Sequence, residues 1–232
     1  MKILKNSLVP IFMSTALLLE NTGYTVLNST DGSNILCDLD PTCRKLTEDE
    51  ITFLTPYFND QIDYGQVNVF ERSQWTLNRP NHAGSASYNA VYLPLNNQQF
   101  DPENLENLGE TGVFLHELTH IWQYQNSQSW WQFRLGTKQK DNLVYSYELN
   151  DSSEFSDFGI EQQASIMMNV YYKRTIYSNP ELLDKDFKDN YMSPEDISEW
   201  IQNACSNDLK KHESVAQTAL PWIEITDCQS LG

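Results

Sequence analysis

The sequence predicts an α+β domain, mostly helical with a small β-sheet. Three observations carry this. Two long stretches, about 111–128 and 159–174, keep apolar residues at helical spacing. Two short stretches, "QVNVFER" and "SASYNAVYLPL", suit strands instead. No internal repeat or low-complexity tract interrupts the 232 residues, a length that suits one domain of ordinary size.

In chain order, Lys2 and Lys5 precede an apolar run from Leu8 to Leu19. Such a run is too short to span a bilayer but suits an export signal. Residues 1–20 are expected to be a signal peptide or uncleaved export signal, the other reading being an N-terminal helix packed on the body. Residues 21–45 are rich in Asn, Thr, Ser, Asp and Gly and read as linker or loop. The domain then occupies 46–232. It opens with a helix at "LTEDEITFLTPYF", where Thr47 and Glu50 make a capping box and Ile51, Leu54 and Phe58 keep helical spacing. The two strand candidates come next, the second ended by Pro94. "NNQQFDPENLENLGE" is a polar connection to the helix that starts near Thr111. "NLVYSYELNDSSEFSD" reads as loop. "GIEQQASIMMNVYYKR" is a strong helix with Ile160, Ala164, Met167 and Tyr171 on one face. A helical C-terminal extension includes "SPEDISEWIQNAC", with Ser193 as N-cap and Pro194 at the first helical position.

The net charge of −17 argues against nucleic acid as a partner, since phosphate is repelled by such a surface. Four cysteines, Cys37, Cys43, Cys205 and Cys228, form no C-x-x-C pair. Two local bridges, Cys37–Cys43 and Cys205–Cys228, are expected, the second stabilising by ~3 kcal/mol in the loop-entropy picture. Free buried thiols in a cytosolic protein are the competing reading. Bridges and an export signal together fit a periplasmic or secreted protein of an oxidising compartment, not an integral membrane protein after processing.

The chemistry centres on "GVFLHELTHIWQYQ", Gly112 to Gln125. His116 and His120 are two of only four histidines. Four residues on a helix advance by about 400° and rise about 6 Å, so both imidazoles project from one face. That separation lets both hold one tetrahedral Zn²⁺. Glu117, turned about 100° from His116, can instead reach a water beside the ion and act as general base. This is the H-E-x-x-H arrangement of metallopeptidases. A third ligand is required. Glu161 is favoured because small neighbours, Ala164 and Ser165, let its helix approach. Glu148, Glu154 and Asp157 are rivals, and a solvated helix-start glutamate is the plain alternative. Of the spare histidines, His82 could line a cleft, while His212 in "LKKHES" has the look of an exposed helix. His82, Tyr88, Tyr171 and Tyr172 are the unranked candidates for an oxyanion donor. Trp122, Tyr124, Trp130 and Trp131 could line the cleft, although core packing explains them as well. The strand around Asn89–Leu93 is expected to lie above the motif helix as an edge on which an extended peptide could pair.

Four segments in order, "LTEDEITFLTPYFNDQIDYGQVNVFE", "AVYLPL", "GVFLHELTHIWQYQ" and "DFGIEQQASIMMNVYY", resemble the small Vgr-related zincin-like proteins associated with bacterial type VI secretion. More distantly they are similar to a metallopeptidase-like domain of contractile injection systems. The resemblance covers roughly residues 46–173. It implies a zincin-like fold, one Zn²⁺ per chain, His116 and His120 as ligands, Glu161 as the third and Glu117 as the catalytic base. Residues 1–45 and 174–232, with all four cysteines, lie outside it.

Three functions fit these readings. The first is an exported zinc metallopeptidase acting on a peptide, a protein or a peptidoglycan peptide. The second is a non-catalytic binding module for a secretion-system or envelope protein. The third is a secreted antibacterial effector.

Overall fold

The computed structural model describes residues 40–71, 84–93, 108–127, 145–179, 182 and 194–230. Residues 1–39, with the expected export signal and Cys37, lie outside this set, as do His82, Trp130, Trp131 and Ser193.

The chain enters as β1, Cys43–Lys45, inside the stretch expected to be linker. Arg44 explains its order. The guanidinium bonds both carboxylate oxygens of Glu50 at 2.7 Å and Oε1 of Glu71 at 2.8 Å, pinning the strand to the first turn of the next helix and to the residue that follows the next strand. Helix α1, Glu48–Phe58, begins with the expected capping box: Glu50 N–H donates to Thr47 Oγ1, and Thr47 N–H to Glu50 Oε2. Leu54, Tyr57 and Phe58 turn inward.

Strand β2, Asn68–Phe70, is buried along its whole length. The next segment departs from expectation. "SASYNAVY" is a hairpin, not one strand: β3 is Ser85–Ser87 and β4 is Ala90–Tyr92. The two-residue reversal uses Tyr88 at φ 54, a left-handed conformation uncommon outside Gly, Asn and Asp. No glycine marks the turn, so alternation alone reads straight through it. The sheet order is β1-β2-β4-β3, with β2 and β4 parallel and the outer pairs antiparallel. The Asn89–Leu93 strand is therefore internal, and β1 and β3 are the edges among the described residues.

Helix α2, Leu108–Asn126, carries the histidine motif. Its far end is tied down: Gln125 accepts from Asp63 N–H at 2.7 Å and donates to Asn89 Oδ1 at 2.9 Å, so the hairpin turn and the helix share a fixed register. Helix α3, Ile160–Ser178, packs on α2. A Cβ on Gly112 of α2 would lie 2.2 Å from the Tyr172 ring, so only a bare backbone lets that ring lie across α2 here. Phe114, Leu115, Leu118 and Ile121 meet Ile166, Met167 and Val170 between the helices, with Val69 and Val91 of the sheet beside them.

The C-terminal part is one nearly continuous helical run. Helix α4, Pro194–Ala204, passes through a π-turn at Cys205–Leu209 into α5, Lys210–Gln217. The expected Cys205–Cys228 bridge is formed, with Cα atoms 5.7 Å apart. Cys43 is also disulfide-bonded. Fully buried Glu213 on α5 accepts from Arg174 Nε at 2.7 Å and from Thr226 N–H at 2.8 Å, joining α3 to the terminal segment. No described helix is long and apolar enough to cross a membrane.

Candidate metal centre

One turn of α2 separates His116 from His120, and their rings stand 4.9 Å apart at a steep angle. Both are buried, at 8% and 7% exposure. Their apolar neighbours Leu115, Leu118 and Ile121 pull the opposite side of the helix into the core. The start of α3 supplies the third group. Glu161 Oε2 is 3.2 Å from Nε2 of His116 and 3.2 Å from Nε2 of His120. All three potential ligand atoms lie within 4.8 Å of one another. Two donors about 2.0–2.1 Å from a tetrahedral zinc ion stand about 3.3 Å apart, so this spacing suits such an ion. Two imidazoles and a carboxylate also form a donor set that zinc accepts. Among the described residues this is the only cluster of its kind. Glu148, Glu154 and Asp157 are exposed and stand outside it, and Asp157 instead caps the turn at Glu154.

The electrostatics favour positive charge at this point. Burial by itself pushes His120 below its ordinary value, but the hydrogen bond and charge of Glu161, the charge of Glu117 and the bond to Gln123 outweigh it and raise the imidazole. Burial likewise favours neutral Glu161, yet the bonds from His116 and His120 hold its carboxyl down at about 2. A carboxylate between two imidazoles stabilises positive charge there.

Glu117 is 6% exposed and stands beside Gly84, just ahead of β3. A Cβ on Gly84 would fall 2.8 Å from Glu117 Cγ and 3.0 Å from its Oε1. The backbone leading to the edge strand thus lies directly against the proposed base.

Of the expected oxyanion donors, Tyr88 sits in the hairpin turn against Tyr124, ring centroids 5.5 Å apart. Tyr171 is buried edge-on to Phe53. Tyr172 covers Gly112 and donates to Gly109 O at 3.2 Å. Tyr171 and Tyr172 are thus engaged in helix packing. Trp122 packs against the core, beside Phe155. His212 is not exposed, as its charged neighbours suggested, but buried at 7%.

Three residues that sequence reasoning missed belong to the site. Tyr145 places its ring 6.0 Å from that of His116. Gly84 makes room for Glu117. Gln123 orients His120: its Oε1 faces His120 Nδ1 at 2.8 Å, while its Nε2 donates to Ile160 O at 3.0 Å and Gln163 Oε1 at 2.8 Å. Those two acceptors fix the amide orientation. Gln163 is held in turn, donating to the carbonyls of Phe155 and Phe158. With Nδ1 donating to Gln123, Nε2 is the nitrogen left for a metal. Gln123 belongs to the stretch that carries the family resemblance, but no sequence signal assigned it a role at the site.

The chain is similar in sequence to a bacterial type VI secretion protein. That relative is the type VI secretion system spike protein VgrG2b of Pseudomonas aeruginosa, 28% identical over 140 residues. The aligned stretch is 56% of this chain but only 13% of the relative. Among solved structures, the effector domain of Pseudomonas aeruginosa VgrG2b is similar at 25% identity, with a TM-score of 0.45 over 70% of this chain and 85% of that one. No family model matches the chain.

Proposed function

We propose that this protein is a zinc metallopeptidase of zincin-like fold, delivered as a type VI secretion effector that acts on a peptide bond in the cell envelope. The observation that carries the reading is the convergence of His116, His120 and Glu161 from two helices on one point, with Glu117 adjacent in sequence. The similarity to a type VI secretion spike protein supports the delivery route. Bound at this point, zinc would polarise the scissile carbonyl and lower the pKa of water towards ~7.

The chain's own residues supply the rest. His116 and His120 bind through Nε2, and Glu161 neutralises part of the charge. Glu117, held close by the backbone at Gly84, takes a proton from the attacking water and passes it to the leaving amine. Tyr145, its ring 6.0 Å from that of His116, is the residue we assign to donate to the developing oxyanion. Strand β3 offers an edge next to this helix, so an extended substrate can add to the sheet there.

Metal analysis of the purified protein should return about one zinc per chain. Glu117→Gln should keep that zinc and lower peptide hydrolysis by about 10²–10⁴-fold. Hydrolysis at the wild-type rate in this variant would remove Glu117 as the base. Full biological activity in it would favour a binding module.

A further inference from the structure

A cavity of about 580 Å³ is lined by Tyr145, Tyr147, Asn169, Asp208, Lys211 and His212. Tyr145 lines it while also standing against His116, so one strip of chain walls both. That strip is anchored by Gln162, the residue after Glu161, which donates to Ser146 O at 2.5 Å.

The cavity has a built floor. Buried His212 donates from Nδ1 to Asp208 O at 2.8 Å, so its Nε2, 3.0 Å from Tyr147 Oη, accepts that hydroxyl. Asn169 donates to the same hydroxyl oxygen. The Asp208 carboxylate is engaged by Lys173 and lies 3.2 Å from His212. Asp208 itself is presented by the π-turn, a distortion that recurs at functional sites. These groups satisfy one another and hold Tyr147 rigid.

Lys211 is different. Its ammonium is 3.3 Å from Asp151, a side chain 91% exposed, and such a surface pair is easily exchanged for another. With the Asp208 carboxylate engaged by Lys173, Lys211 is the cation that the lining can offer a ligand.

We propose that the cavity is a specificity subsite for an acidic substrate side chain, its carboxylate on Lys211 and its stem against Tyr145 and Tyr147. This rests on the peptidase reading above. The volume falls in the usual range of ligand pockets and readily admits a glutamate side chain.

The test uses the zinc-loaded full chain and short peptide hydroxamates carrying Glu, Gln, Leu or Lys beside the chelating group. Binding is read by calorimetry, without turnover. The Glu probe should bind roughly tenfold tighter than the Leu and Lys probes, and Lys211→Glu should reverse the order in favour of Lys. Equal binding of all four probes, or an unchanged order in folded Lys211→Glu, overturns the subsite and leaves the peptidase reading standing. Failure of the chain to take up zinc, or of every hydroxamate to bind the loaded chain, defeats the peptidase reading and the subsite with it.

Discussion

His120 shows what a single residue position decides. Its Nε2 can serve a metal only while its Nδ1 is held by an acceptor, and Gln123 is that acceptor. Gln123→Leu should therefore weaken zinc binding by about 10–100-fold while the helix persists, as measured by competition with a chromogenic chelator. Unchanged affinity would show that the amide does not orient the ring. His212 answers to pH in the opposite sense from His120. Burial lowers its pKa, outweighing the bond to Asp208. A depressed folded value means its stabilising contribution is present above the unfolded value near 6.5 and is lost as pH falls through the lower folded value. Denaturant titrations between about pH 7.5 and 5 should show stability declining with acidification, and His212→Gln should flatten that slope. The placement of His116 and His120 on one helix face was legible because it lies within one turn of helix. Gln123, Tyr145 and the burial of His212 were not, because each depends on partners tens of residues away: Gln163, His116 and Tyr147.

At the scale of elements, the α2–α3 crossing sets the distance between the two histidines and Glu161. Gly112 lies under the Tyr172 ring, and any side chain there displaces that ring from the seam between the helices. Gly112→Ala should cost about 1–3 kcal/mol by overpacking and should also reduce zinc affinity, read by thermal melts with and without the metal. Loss of stability with unaltered metal binding would mean the helices separate away from the site. The helices themselves were readable in the sequence, since the Thr47–Glu50 box and the apolar spacing of both long helices are local signals. The sheet was less so. Each strand has only three residues, too few for alternation to mark its ends, and the hairpin turns on a tyrosine with positive φ. Strand β1 passed for linker because its order comes from Arg44 gripping Glu50 and Glu71, an ion-pair pattern that composition conceals.

At the scale of the whole molecule, the C-terminal extension fastens onto α3 through Arg174 and Glu213. The Cys205–Cys228 bridge closes a loop with a sequence separation of 23 across the π-turn that presents Asp208. Converting both cysteines to serine should lower stability by about 3 kcal/mol, seen as a lower denaturation midpoint. A shift below about 0.5 kcal/mol would show that the reduced chain keeps these ends together on its own. The pairing was legible because the two cysteines are neighbours in sequence among few others. The packing it secures, with Glu213 buried under Arg174 and Thr226, was hidden in residues that look like an ordinary charged helix. The placement of Glu161 reaches further still. His116 and Glu161 are 45 positions apart, on different helices. An ion shared between them would be a reversible rivet, and its capture would require little rearrangement because the three donors already stand together. Depriving the protein of that ion would then loosen its framework as well as silence its chemistry, making the ambient supply of metal a dial on how long the molecule survives.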